Sequence, residues 1–180
     1  MKIIETNLHG CVVIEPTIFE DERGSFFESY QKEKLDKILG FEVNFVQTNQ
    51  SISKKGTLRG LHFQEGKHAQ AKLVSVAKGR VLDVVVDIRK DSSSYGKHFK
   101  IELSENNKKS IFIPKGMAHG FLALEETIFI YQCDNYYNKR SERGIIYDDE
   151  VLNIDWDYPK SKMIISSKDK ELTLFSELNL

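Results

Sequence analysis

KLVSVAKGRVLDVVVDI, residues 72–88, is the stretch whose reading decides the fold class, because it is long, apolar and rich in β-branched valine. Such side chains favour extended backbone packed in a sheet. Shorter runs of the same character lie on either side of it. Upstream are CVVIEP, GSFFESY and FEVNFVQTNQ; downstream are HFKIELS, KSIFIP, HGFLAL and TIFIYQC. Turn-forming segments such as SKKG, DSSSYG and SENNKK separate them, a spacing that predicts an all-β sandwich or barrel. Only QKEKLDKILG reads as a helix, with Leu35, Ile38 and Leu39 on one stripe and Gly40 as its C-terminal cap. No internal repeat, low-complexity tract or Pro/Gly linker divides residues 1–180, so they read as one domain with a sizeable core.

Charge and cysteine content narrow the possible functions. With 26 basic and 27 acidic side chains the formal net charge is -1. No global field draws in nucleic acid or an anionic membrane, and an anionic ligand must be met by a local cluster of cations. The opening MKIIETNLHG has no apolar core of signal-peptide length and no later run approaches a membrane span, which predicts a soluble, cytoplasmic protein. Cys11 and Cys133 stand far apart without CxxC spacing, so they read as small core residues and not as a disulfide framework or structural zinc site.

Several polar residues sit where strands should be apolar. In LRGLHFQ, residues 58–64, strict alternation sends Leu58, Gly60, His62 and Gln64 to one face and Arg59, Leu61 and Phe63 to the other. Gly60 then leaves room beside His62, which is either a core histidine with a hydrogen-bond partner or a working imidazole. Gln47 and Asn49 in FVQTNQS share a face, which suits solvent or a polar ligand. Lys72 opens an apolar strand as an exposed end or as a cation aimed at developing negative charge. In IFIPKGMAHGF the chain turns at Pro114 and Gly116 and then presents His119. Two histidines fall short of a metal site: Gln64 stands where a His-x-His pair would place a second ligand, and no carboxylate lies between Glu65 and Asp83. Tyr131, Tyr136 and Tyr137 are packing groups, proton donors or a platform for a planar ring. Arg23, Arg59 and Lys168 are scattered cations that could converge on a phosphate, and Asp169 follows the last of them.

Taken together, DERGSFFESY, FVQTNQSISKKGTLRGLHFQ, QAKLVSVAKGRVLDVVVDIRK, IPKGMAHGFLAL, YQCDNYY and SSKD resemble, in order and over nearly the whole chain, the dTDP-4-dehydrorhamnose 3,5-epimerase family. The resemblance implies a cupin-type β jelly roll with short helical additions, a homodimer, and catalysis without metal or cofactor. It makes His62 the general base, Asp169 the carboxylate that orients it, Tyr131 the general acid, and Lys72 and His119 the groups that steady an enolate oxygen or the sugar. Arg23, Glu28, Gln47, Asn49, Arg59, Glu142 and Lys168 become nucleotide-sugar contacts, and Tyr136 a stacking residue. The segment from His119 to Tyr131 is one residue shorter than the family's usual spacing, and KRSERG one residue longer. The implied reaction inverts C3 and C5 of a nucleotide-linked 4-keto-6-deoxyhexose, whose C–H bonds at those carbons are acidified by the C4 carbonyl. Such abstraction suits an imidazole near neutral pH, with an acid on the other face and an ammonium at the oxyanion. The alternatives are inversion at one carbon only, a GDP-linked sugar, a metal-dependent cupin oxygenase, or a non-catalytic sugar-binding jelly roll.

Overall fold

Extended runs become strands and the turn-like segments their connections. A computed structural model describes residues 1–179. In chain order the elements begin with β1 (Lys2–Glu5), β2 (Val12–Glu15), β3 (Ile18–Asp21), β4 (Gly24–Phe27), α1 (Lys32–Leu39), β5 (Gln47–Ser53), β6 (Thr57–Gln64), β7 (Lys72–Lys78) and β8 (Arg80–Asp87). They continue with β9 (His98–Ser104), β10 (Ser110–Ile113), β11 (Met117–Ala123), β12 (Thr127–Cys133), β13 (Glu142–Gly144), β14 (Ile164–Ile165) and α2 (Ser167–Lys170).

One sheet runs β1-β2-β10-β7-β12-β5 and the other β13-β6-β11-β8-β9, with β14 joining β6 and the hairpin β3–β4 standing apart. Among the described residues no ladder joins the edges of the two sheets, so the barrel alternative resolves into an open two-sheet jelly roll whose halves are held by side-chain packing. The 72–88 run is two strands, not one. Gly79, at φ +77°, carries the chain from β7 in the first sheet to β8 in the second, and an added Cβ there would lie 2.3 Å from the Glu126 carbonyl oxygen.

Apolar packing fills three layers. Between the sheets lie Val13, Val74, Ile111 and Phe129 against Val81, Val85, Met117 and Phe121. The outer face of the second sheet presents Leu58, Leu61, Val84, Val86 and Leu122, covered by Ile145, Leu152, Trp156 and Phe175. The outer face of the first sheet presents Val12, Ile14, Leu73 and Phe112 under Leu35 and Val43. Each such buried side chain contributes about 1.5–3 kcal/mol. Helix α1 forms where the stripe places it: the Gln31 side chain accepts from the Lys34 N–H at one end, and Gly40 closes the other at φ 76°.

Two expected strands are shorter than their sequence runs. FEVNFV stays irregular up to Gln47, with Val43 plugging the outer layer. GSFFESY yields only a short hairpin strand, and Phe19 and Phe26 on that hairpin are exposed. Cys11 and Cys133 are buried and free. Among the described residues no helix is long and apolar enough to cross a membrane.

Candidate active site

The site starts from an irregularity in β6. His119 pairs with His62 and Phe121 with Arg59, so β6 takes three steps where β11 takes two, a β-bulge. Gly60 is the residue that permits it: its φ is +120°, and an added Cβ would lie 2.5 Å from the Gly120 Cα. The bulge resets alternation, so Leu58, Leu61 and Phe63 all pack in the outer layer while Arg59 and His62 both line one cleft. Strict alternation had placed Arg59 opposite His62, and here it is corrected. Gly60 likewise serves the close approach of β11 and not room beside the imidazole.

His62 Nε2 lies 2.8 Å from Asp169 Oδ1. The other Asp169 oxygen accepts the Gly60 N–H at 3.3 Å, and the Asp169 N–H donates to Ser166 Oγ, the N-cap of α2. Burial pushes the Asp169 carboxyl upward, but hydrogen bonds to His62 and from Gly60 outweigh it and hold the group below the ordinary carboxylate range. A carboxylate so placed fixes the tautomer and orientation of the ring it faces.

Beside this pair on β11, His119 Nε2 lies 2.9 Å from Asp83 Oδ2, and the His119 ring stacks on Phe129. Asp83 is fully buried, and its second oxygen has no hydrogen-bond partner among the described residues. Sequence reasoning passed over Asp83, although an acid in the middle of VLDVVV was a usable signal.

The first sheet supplies the facing wall. Lys72 on β7 and Tyr131 on β12 line two cavities of about 330 and 340 Å³, which share those residues and His62. Arg59, Ser51, His119, Lys168 and Asp169 border the first cavity; Gln47, Asn49, Gln70, Tyr137 and Glu142 border the second. Desolvation pushes the Lys72 ammonium below the usual lysine range, against the pull of Cys133, Asp83 and Glu142. Desolvation also raises the Tyr131 phenol. Gln47 donates to Asn49 Oδ1 at 2.9 Å, so the two amides form a chain along the wall. At the mouth Glu142 accepts from both Lys168 and the Tyr137 hydroxyl, bonds that outweigh its desolvation and keep it below the ordinary range.

Ten of the thirteen residues singled out from sequence line this cleft. Tyr136 is not among them: it is exposed, its backbone held by the Gln64 amide at the carbonyl and by Asn135 Oδ1 at the N–H, and Tyr137 lines the cleft in its place. Gln64 itself is spent on anchoring that loop through His68, Tyr136 and Asn138. Arg23 and Glu28 lie outside the cleft of their own chain. Arg23 pairs with Asp21 in the β3–β4 turn and Glu28 pairs with Lys34. Among the described residues no three His, Cys, Asp or Glu side chains are grouped to hold a metal ion.

A jelly roll whose cleft brings together a carboxylate-held imidazole, a phenol and several cations has the groups that proton-transfer chemistry of the isomerase kind requires. The chain belongs to the dTDP-4-dehydrorhamnose 3,5-epimerase family, whose sequence pattern matches residues 5–177. It is 46% identical over 179 residues to the Escherichia coli dTDP-4-dehydrorhamnose 3,5-epimerase, covering 99% of this chain and 96% of that one. The crystal structure of the enzyme of that name from Elizabethkingia anophelis superposes with a TM-score of 0.96 at 50% identity, covering 100% of this chain and 99% of that one. The dTDP-6-deoxy-D-glucose-3,5-epimerase of Legionella pneumophila, solved in complex with dTDP-4-keto-L-rhamnose, superposes at 0.94 with 44% identity, covering 99% and 94%.

Proposed function

We propose that this chain converts dTDP-4-dehydro-6-deoxy-D-glucose to dTDP-4-dehydro-L-rhamnose, with His62 as base and Tyr131 as acid. The observation that carries the assignment is their placement on opposite walls of one cleft, His62 on the second sheet and Tyr131 on the first. Removing the proton at C3 or C5 leaves an enolate with its charge on the C4 oxygen. Reprotonation from the other side inverts the carbon. Lys72 lies in both cavities, where an ammonium stabilises that oxyanion, and His119 borders the same space. Arg59 and Lys168 are the cations for the pyrophosphate, and Gln47, Asn49 and Glu142 the polar partners for the rest of the nucleotide sugar. Tyr137 offers the aromatic wall for the base.

The reading extends to a metal-independent reaction and to a homodimer in the cytoplasm. Phe19 and Phe26 make the β3–β4 hairpin an exposed apolar surface of the kind a second copy covers. Arg23 and Glu28, on and beside that hairpin, can then serve only a cleft other than their own.

The test separates abstraction from reprotonation. In D2O, Tyr131→Phe should still exchange deuterium into C3 and C5, most readily at the carbon attacked first, while forming little doubly inverted product. Phe preserves the ring volume, so folding should be nearly unaffected. Equal loss of exchange and inversion would overturn the assignment of Tyr131. Deuterium confined to one carbon in the unaltered protein would make it a single-centre epimerase.

A further inference from the structure

Asp169 reaches His62 from a segment far along the chain, and α2, which carries it, is a single turn of helix. A four-residue helix has no stability of its own. Its position must therefore come from what holds the chain on either side. Upstream, Ile164 and Ile165 pair with Thr57 and Leu58 of β6. Downstream, the Ile146 N–H donates to the Thr173 carbonyl, the Thr173 hydroxyl donates to the Gly144 carbonyl at 3.0 Å, and the Phe175 N–H donates to Asp149 Oδ2 at 2.8 Å.

Asp149 is only 3% exposed, and its other oxygen accepts the N–H groups of Val151 and Leu152 at 3.0 and 2.9 Å. One carboxylate thus ties the 149–152 turn to the segment that carries Asp169. Phe175, the residue it grips, is buried beside Leu152 and Trp156 and lies against Tyr95. Between this anchor and α2, Leu172 packs on Gly144, where an added Cβ would come within 2.8 Å of both its methyl groups. Gly144 is in turn the partner of His62 in the ladder between β13 and β6. The anchor, the segment and the imidazole form one packed series.

We propose that Asp149 is a positioning residue for the reaction, setting the Asp169 carboxylate against His62 by holding the segment that bears it. The inference rests on the His62–Asp169 base assigned above. Its chemistry allows a selective variant. In Asp149→Asn the amide oxygen can still accept from Val151 and Leu152, but the amide nitrogen would face the Phe175 N–H, donor against donor. The turn keeps its bonds while the segment loses its anchor.

The experiment is a double-mutant cycle read by deuterium exchange into substrate, with Asp149→Asn, Asp169→Asn and the pair. Misplacing a catalytic group by about an ångström costs up to roughly a hundredfold, and Asp149→Asn should slow kcat roughly tenfold with KM nearly unchanged. Amide hydrogen exchange should rise in residues 164–179. The double variant should be no slower than Asp169→Asn alone, because Asp149 acts only through Asp169. Additive losses, or a wild-type rate in Asp149→Asn, would overturn the inference while leaving the base intact. A wild-type rate in Asp169→Asn would instead remove the base reading itself. If Asp149→Asn does not fold, Thr173→Val removes the hydroxyl bond to the Gly144 carbonyl in the same segment, and the same non-additivity with Asp169→Asn decides the matter.

Discussion

Two histidine–carboxylate pairs stand side by side on neighbouring strands, with nearly the same separation, 2.8 Å for His62–Asp169 and 2.9 Å for His119–Asp83. Their surroundings differ. The His62 side chain is 27% exposed and its acid 6%; the corresponding values for the second pair are 8% and 0%. Asp169 comes from a separate segment and is satisfied by a ring nitrogen and a backbone N–H, whereas Asp83 belongs to a core strand and keeps one oxygen unpaired. Geometry alone makes the pairs equivalent; access distinguishes them. The first imidazole is open to the cleft, while the second is held between Asp83 and Phe129 as part of its wall.

The largest effect that would sharpen this contrast is chemical. His62→Asn should keep the fold and nucleotide binding but lose proton exchange at both carbons by roughly a hundred- to ten-thousand-fold, the usual weight of a general base. Near-wild-type exchange by NMR in D2O would dissolve the distinction. Next in size is a stability effect carried by the other pair. His119→Ala leaves Asp83 buried and unpartnered, which should destabilise the fold by about 3–5 kcal/mol. His62→Ala should cost much less, since Asp169 retains the Gly60 N–H beside a water-accessible cleft. Urea denaturation of both variants measures the difference, and equal midpoints would break the comparison. The smallest expected effect is none at all. Two neighbouring imidazoles could be mistaken for half of a metal site, yet full activity should survive exhaustive chelation. Loss with EDTA and recovery with a divalent cation would join the two histidines into a single function.

Much of this was legible in the residues. Valine-rich runs and turn clusters gave the strands, the Leu35 stripe and Gly40 gave the helix, and the family motifs carried His62, Lys72, Tyr131 and Asp169 to a common cleft. Four things were missed, for physical reasons. A bulge adds one residue to one strand, and no local pattern in LRGLHFQ reveals that Gly60 is the extra one. Its need for glycine arises from Gly120 on another strand. Asp83 was hidden because a carboxylate in an apolar run announces a partner without naming it. Adjacent tyrosines at 136 and 137 are interchangeable by composition, and only the fold of their loop, pinned by Gln64, decides which enters the cleft. Gly79 belongs to the same kind: it reads as one more residue in a strand, yet its approach to Glu126 makes it a corner.

The middle strands of the second sheet, β8 and β11, are covered on both sides, by the first sheet inward and by the 145–175 segment outward. A sheet with one wet face offers every second position to drift, since substitutions there change little. Strands β8 and β11 have no such positions, being buried along nearly their full length. Sequence change in this molecule must therefore be absorbed elsewhere, in the outer side of α1 and the exposed turns. The strand pair that holds His119 and Asp83 is left with little freedom to vary.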